Sequence, residues 1–337
     1  MLINIVPKVT TFDISRSIMS VPELLKRRAL KMTEQFDMVK AQLDVLSQVA
    51  SQSNNAYNLS IQNYYAFSNL HELVSNLFER LIPEAEGMQN LYFISEIGLM
   101  AFPKGDKMFI PSMLLGRVWE PEQTALFRKV VPKGGTFVDL GSHVGWHSFS
   151  VARHVSDVKI IAIEASPVNA SIFKLNQSLL GLNEVDIRLF NVAAWNKNEK
   201  IVLSRDTEEN SGDIQVNPID SKPGEIQDAV RLEDLSIFAD VQVDVVKSDL
   251  QGVDQIAFRG FEKIIKRDRP LIVVEFWPYG ISRTGEDPQD VLDYYVSLGY
   301  HVTNLDGSKF DRSSIERMLE GTKTKQSDQT DLLLTPS

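Results

Sequence analysis

From about residue 136 onward, short apolar runs alternate with segments in which apolar residues recur every three or four positions. The runs at 136–140, 159–164, 185–191, 243–249, 271–276, 301–305 and 331–335 are the candidate strands. Continuous apolar runs of that length suit strands covered on both faces. Their alternation with helical segments implies a doubly wound α/β arrangement, a parallel sheet with helices on both sides. Glu120-Pro121-Glu122 opens a helix that reaches about Val130, and Pro132 to Gly135 turn the chain into the first core strand. Ser166 and Pro167 cap and open a further helix, which Gly181 closes. The polar segment 200–228 is expected to be a turn-rich insertion or a mobile loop over the site. The last strand follows a helical, then polar excursion (Ser313 to Gln329) and is expected to run antiparallel to the others.

Residues 1–86 differ from the rest. Ser20, Pro22 and Glu23 carry a capping-box start, and Leu25, Ala29, Met32, Phe36, Val39, Leu43, Leu46 and Ala50 follow in steps of four and three. That is a heptad seam. Ser51-Gln-Ser-Asn-Asn55 breaks it, and Phe67, Leu70, Val74, Leu77 and Leu81 resume it. Two readings stay open: a helical hairpin packed within the chain, or a coiled-coil contact that makes a homo-oligomer. Residues 87–130 form a connecting region, with short runs at Leu91–Ile94, Leu99–Phe102 and Met108–Ile110 suggesting small strands or a hairpin before the helix. Residues 131–337 make up the main domain.

Composition narrows the partners. The chain of 337 residues is 43% hydrophobic and 24% charged, ordinary for a globular protein. It has no cysteine, which removes disulfides, thiol nucleophiles and cysteine-held metals. A net charge of −10 argues against a nucleic-acid surface. Lys26-Arg27-Arg28 is a basic run in a helix with acids nearby. No apolar run approaches a membrane span, and the N-terminus lacks a signal-peptide pattern. A cytoplasmic protein is the expectation.

The chemistry concentrates where strands end. Thr136-Phe-Val-Asp-Leu-Gly-Ser-His-Val-Gly145 reads as a buried strand, a glycine turn and a helix start. Gly141 and Gly145 are expected to let the backbone approach a ligand, and Asp139 places a carboxylate at the rim. A dinucleotide fingerprint needs G-x-G-x-x-G, yet here Ser142-His143-Val144 separates the outer pair. A cofactor without phosphates, such as S-adenosylmethionine, fits better. The second strand, Lys159-Ile-Ile-Ala-Ile-Glu164, also ends in a carboxylate, and Glu164 stands near the offset expected of a ribose-binding acid.

These segments resemble the FkbM-type family of S-adenosylmethionine-dependent methyltransferases. Trp119-Glu-Pro-Glu122 is similar to its lead-in, Phe137 to Trp146 to its cofactor loop, and Ile163-Glu-Ala-Ser-Pro-Val-Asn169 to its ribose-binding turn. Val246-Lys-Ser-Asp-Leu-Gln-Gly-Val-Asp254 is similar to its fourth-strand signature, usually Lys-x-Asp-x-Glu-Gly-x-Glu. Arg259-Gly260 and Val274-Glu275 match later positions. The resemblance covers roughly 115–280 and implies a class I methyltransferase (Rossmann-like) sheet with an antiparallel last strand. Two departures stand out: Gln251 replaces a family glutamate and Asp254 replaces a second one.

The implied cofactor residues are Asp139, Gly141, Ser142, His143, Gly145, Glu164, Ala165, Asn169, Asn191 and Asp249. Methyl transfer to an alcohol is an in-line displacement that gains from positioning and from a base. Candidates for the chemistry are Asp249 (base or acceptor anchor), Lys247, Glu275 and His143. For His143, a turn-shaping role, a general base and a cofactor contact all remain open; His147 is expected to be packed. Asp249, Asp254 and Glu275 do not have metal-motif spacing, and no metal is assigned. Trp277 and Tyr279 either line an acceptor pocket or simply pack. The resemblance implies O-methylation of a hydroxyl on a sugar or secondary metabolite, with a small-molecule or glycan acceptor. The alternatives are a nicotinamide-dependent oxidoreductase, and a non-catalytic assembly protein with a relic cofactor site.

Overall fold

The computed structural model describes residues 90–103, 106, 109, 118–204, 212, 214–218, 223–320 and 329–337. The heptad segments of residues 1–86, the basic run at Lys26 and most of the third short run at Met108–Ile110 lie outside these. The chain divides into two compact units, Met1–Val118 with Leu175–Leu182, and Trp119–Lys174 with Asn183–Ser337.

In the first unit, β1 (Asn90–Ser95) and β2 (Gly98–Pro103) form an antiparallel hairpin. Ser95 Oγ closes it by donating to the Gly98 carbonyl at 2.8 Å. Asn176 meets the β2 edge, accepting from Ala101 N at 2.6 Å and donating to Ala101 O at 3.0 Å.

The second unit is built on a seven-stranded sheet. Its strands are β3 (Thr136–Leu140), β4 (Lys159–Ile163), β5 (Asp186–Phe190), β10 (Val245–Ser248), β11 (Leu271–Phe276), β12 (Tyr300–Asn304) and β13 (Thr330–Pro336). Each lies within two residues of the run that predicts it. The spatial order is β12-β13-β11-β10-β3-β4-β5. All neighbouring pairs in the β11-β10-β3-β4-β5 series are parallel, while β13 runs antiparallel to both β11 and β12. The expected doubly wound sheet with an antiparallel last strand is therefore what forms.

Side chains alternate between the two faces. On one face Phe137, Ile160, Val245 and Val273 pack with Phe127 and Val151, buried residues of α1 (Pro121–Val130) and α2 (Trp146–His154). On the other face Val138, Leu140, Ile161, Val246, Ile272 and Val274 join a larger core. That core takes in residues of α4 (Asp254–Arg259), α5 (Glu262–Asp268), α6 (Pro278–Arg283), α7 (Pro288–Ser297) and α8 (Arg312–Glu320). The helix after β4, α3 (Pro167–Leu179), starts as the Ser166-Pro167 signal predicts, with Ser166 Oγ accepting from Asn169 N.

One expectation fails. The polar segment 200–228 is not simply a turn-rich insertion or a loop. It supplies most of a four-stranded sheet in the order β6-β9-β7-β8, made of β6 (Ala193–Trp195), β7 (Glu199–Ser204), β8 (Gln215–Pro218) and β9 (Glu225–Arg231). β8 and β9 escape a hydrophobic reading because few of their residues are buried. In β9, Glu225, Ile226 and Asp228 are exposed and only Ala229 is buried.

Candidate functional site

The carboxyl ends of β3, β4 and β10 bring three acids to one edge of the sheet. Register places Lys247 of β10 beside Asp139 of β3, so both project from the same face. Lys247 Nζ donates to the Gly141 carbonyl at 2.9 Å. It lies 3.6 Å from Asp139 Oδ1 and 3.7 Å from Asp249 Oδ2. Burial alone would push Lys247 down, but Asp249, Asp139, Glu120 and Glu275 together hold it well above the ordinary lysine range. Lys247 is thus a fixed cation that joins two strands to the glycine turn.

Asp139 is buried; its Oδ2 accepts from Ser148 Oγ at 2.6 Å, while Oδ1 has only the lysine. Asp249 is more open, with its side chain about one-third exposed, and Oδ1 accepts from Gln251 Nε2 at 3.0 Å. The residue in the family glutamate position therefore donates to Asp249. A second carboxylate there would oppose it.

Glu164 is buried beneath the turn. His143 N donates to its Oε2 at 2.8 Å, and Ser166 N and Asn169 Nδ2 reach Oε1 at 2.9 and 3.5 Å. Burial raises its proton affinity, opposed by the Ser166, His143 and Asn169 hydrogen bonds. Each carboxylate oxygen has two lone pairs, so capacity for a ligand hydroxyl remains. Asn191 Nδ2 donates to the carbonyls of Glu164 and Ala165 at 2.8 and 3.1 Å, and Gln227 Nε2 from β9 reaches the Ala165 carbonyl at 2.8 Å. Asn191 and Ala165 thus serve the backbone path of this strand end. Gln227 links the small sheet to it, and no sequence motif marks that role.

The glycine turn has a packing explanation. A Cβ on Gly141 would come 2.1 Å from the Asp249 carbonyl oxygen, and one on Gly145 would strike the Phe149 ring at 2.2 Å. The neighbours that require these glycines within the chain are thus its own β10 loop and α2. His143, between them, takes φ 50°, and its backbone role is the turn-to-Glu164 bond. Ser142 is buried, and its Oγ makes no hydrogen bond within the described protein.

A second acidic group extends toward β13. Glu275 is buried, and burial together with Asp249, Asp254, Asp331 and Glu120 pushes its carboxyl well above the usual range. Asp331 is raised to about 7 by burial and by Glu120 and Asp249. Asp254, in the second family glutamate position, lies behind them. Its Oδ1 accepts from Ser248 Oγ at 2.5 Å and Leu250 N at 3.1 Å, and burial lifts it to about 7. His147 Nε2 lies 2.8 Å from Glu120 Oε2, and its ring meets Phe127 edge-on at 5.3 Å. It is packed, as expected. Trp277 and Tyr279 have ring centroids 5.6 Å apart, and Arg283 lies over Trp277 at 5.8 Å. Among the described residues, no group of three or more His, Asp or Glu is arranged to hold a metal ion.

The strand order, the antiparallel β13 and acids at adjacent strand ends define an α/β methyltransferase-type domain. The particular family follows from a direct match: residues 139–302 fit the family model described as Methyltransferase FkbM domain. The chain carries an FkbM-type methyltransferase domain, in agreement with its motifs. No curated protein matches the chain. Among solved structures it is similar to methyltransferase FkbM from Methylobacillus flagellatus KT (12% identity, TM-score 0.39, 67% of this chain and 52% of that one). It is similar to the O-methyltransferase from Bacillus cereus in complex with SAH (16% identity, TM-score 0.38, 64% of this chain and 82% of that one). A third is a putative rRNA-methylase from Clostridium thermocellum (10% identity, TM-score 0.40, 64% and 95%). The chain spans about half the length of the Methylobacillus protein. At these identities and TM-scores, the likenesses bear no weight on substrate or activity.

Proposed function

We propose that the chain is an S-adenosylmethionine-dependent O-methyltransferase acting on a hydroxyl of a sugar or secondary metabolite. The observation that carries this reading is the FkbM-type match laid over Asp139, Glu164 and Asp249 at adjacent strand ends. The residues fit such a donor. Carboxylates suit its ammonium and ribose hydroxyls, no phosphate cradle is present in the turn, and the buried Ser142 Oγ is an unspent polar atom at the turn. When bound, the cofactor supplies an electrophilic methyl group.

The chain's own residues do the rest. Glu164, with Asn169 and the His143 amide behind it, would hold the ribose. Asp139 and Ser142 would face the polar end, with Lys247 fixing Asp139. Asp249, the more open carboxylate, would orient the acceptor hydroxyl, with Glu275 beside it. The net charge of −10 favours a small-molecule or glycan acceptor over nucleic acid. Pairing through the N-terminal heptads and a cytoplasmic location belong to the same proposal. Among the described residues, no helix is long and apolar enough to cross a membrane.

Calorimetry with S-adenosylmethionine tests the reading. We expect saturable binding, weakened at least about tenfold in Glu164→Ala, since a hydrogen bond to a charged group contributes about 1.5–3 kcal/mol. Glu164→Gln should be milder, because one acceptor oxygen remains. Absence of binding to the intact protein overturns the reading.

A further inference from the structure

The acidic edge includes a residue that no motif marks. Glu275 of β11 and Asp331 of β13 are direct partners in the antiparallel register. Opposed residues in such a pair hold their Cβ atoms roughly 4.5–5.5 Å apart and on the same face, and like charges there are destabilising. Asp331 occupies a strand whose other residues are mainly apolar, Leu332, Leu333 and Leu334. A leucine in its place would serve the sheet better. Its carboxyl is largely withdrawn from water and is held by Gln123, a buried residue of α1. Glu275 is 6% exposed, and its Oε2 is buried without a hydrogen-bond partner.

Among the described residues, charged groups surround this pair from several elements. From β10 come Lys247 and Asp249, and from β3 Asp139, tied to Lys247. Glu120, just ahead of α1, is held by His147 of α2. Asp254 of α4 acts through the sheet from its bond to Ser248. Acids outnumber the lysine, so a second charge on the Glu275–Asp331 pair finds little compensation.

We infer that Asp331 is a positioning residue of the acceptor end, an inference that rests on the hydroxyl-methylation reading: placed opposite Glu275, it makes the Glu275 carboxylate a stronger base toward the acceptor's hydroxyl proton. In the reaction the carbon–sulfur bond breaks as the carbon–oxygen bond forms. The sulfonium becomes a neutral thioether, and the hydroxyl proton passes to the Glu275 carboxylate. A base poised near the working pH is the most effective one. The burial-driven rise of both carboxyls agrees with this geometry.

The test is a carbon-13 NMR titration of the full-length protein labelled at glutamate carboxyl carbons, with the Glu275 signal assigned by its loss in Glu275→Gln. In the unaltered protein Glu275 is expected to titrate well above the ordinary carboxylate range. In Asp331→Asn its midpoint should fall by about one pH unit or more, the response to removing an adjacent like charge. A Glu275 midpoint in the ordinary carboxylate range, or one unmoved by Asp331→Asn, overturns the inference. The second arm measures labelled methyl incorporation into cell extract. Glu275→Gln should lose at least about a hundredfold with cofactor affinity unchanged, and the acid limb of the pH profile should move down in Asp331→Asn. Full incorporation by Glu275→Gln also overturns the inference. Loss of calorimetric cofactor binding in the unaltered protein would instead sink the methyltransferase reading, and the NMR result would stand apart from it.

Discussion

Asp254 offers a sharp test of the electrostatics of this domain. It begins α4, is 1% exposed, and uses Oδ1 for both of its hydrogen bonds, from Ser248 Oγ and Leu250 N, while Oδ2 has none. Burial raises its carboxyl from 3.8 to about 7, with Asp249 adding to the rise. A group whose proton affinity is raised by folding contributes its stability fully below the unfolded value, near 3.8, and loses it as pH rises through about 7. At about 1.4 kcal/mol per unit, the protein should carry a penalty of about 4 kcal/mol at pH 8 that is absent at pH 4.

Asp254→Asn removes the ionisable group and keeps the oxygen that accepts both bonds. The new Nδ2 occupies the place of an atom without a partner, a cost that does not change with pH. The variant should therefore gain on the unaltered protein as pH rises from 5 to 8. The gain over that interval should be about 2.5 kcal/mol, because about 1.5 kcal/mol of the penalty is already present at pH 5, and it should appear as roughly 5–10 °C in Tm for a domain of this size. Urea unfolding at several pH values measures it. A difference between the two proteins that stays flat from pH 5 to pH 8 would refute the reasoning, because Asp254 would then be ionised in the folded state at little cost.

Two further outcomes follow from the same edge. Gly252 has φ 86°, and a Cβ there would lie 2.6 Å from the backbone of Gly280; Gly252→Ala should lower Tm by roughly 5 °C or more, combining left-handed strain with overpacking, and an unchanged calorimetric Tm would count against this contact. Lys247→Met strands Asp139 and Asp249 without their cation and should cost about 3–5 kcal/mol at pH 7 in guanidinium unfolding. Because folding raises the lysine, its contribution is complete at neutral pH and fades only in strong alkali. A loss below about 1 kcal/mol would show that the carboxylates find other partners.

The main sheet was legible because its strands are buried on both faces. Phe137-Val138, Ile160-Ile161 and Ile272-Val273-Val274 leave no polar position to confuse the period. Their ends were legible for the complementary reason: Asp139, Glu164 and Asp249 are acids where apolar runs stop. The small sheet was not legible, because β8 and β9 bury few residues and carry Asn217, Glu225 and Asp228 among them, so no apolar alternation marks them. The packing that requires Gly141 and Gly145 was not legible in the sequence either. A glycine's necessity depends on what lies beside it, and here that is the Asp249 carbonyl, more than a hundred residues away, and the Phe149 ring. Asp331 escaped notice because its meaning comes from register with Glu275, which no local pattern encodes.

The distribution of backbone strain agrees with the placement of the site. Glu120, His143 and Gln251 adopt φ of 43°, 50° and 56°, a region that disfavours side chains. Each stands where a segment meets the carboxyl edge: ahead of α1, after β3 and after β10. The other described non-glycine residues of this kind, Asp157 and Arg269, sit at the opposite end of the sheet, just before β4 and β11. Arg269 closes α5 as a left-handed C-cap, and Asp157 lies in the short turn between α2 and β4, which are ordinary reasons for such angles. The three at the carboxyl edge have another. Glu120 is held to His147, the His143 amide to Glu164, and Gln251 to Asp249, so at each strained position the neighbouring bond fixes a charged or ionisable group. Strain of about 1–3 kcal/mol per residue persists only where surroundings over-determine it. Here it goes with the aiming of the groups assigned to cofactor and acceptor, and all three residues lie within the motifs that first pointed to this edge.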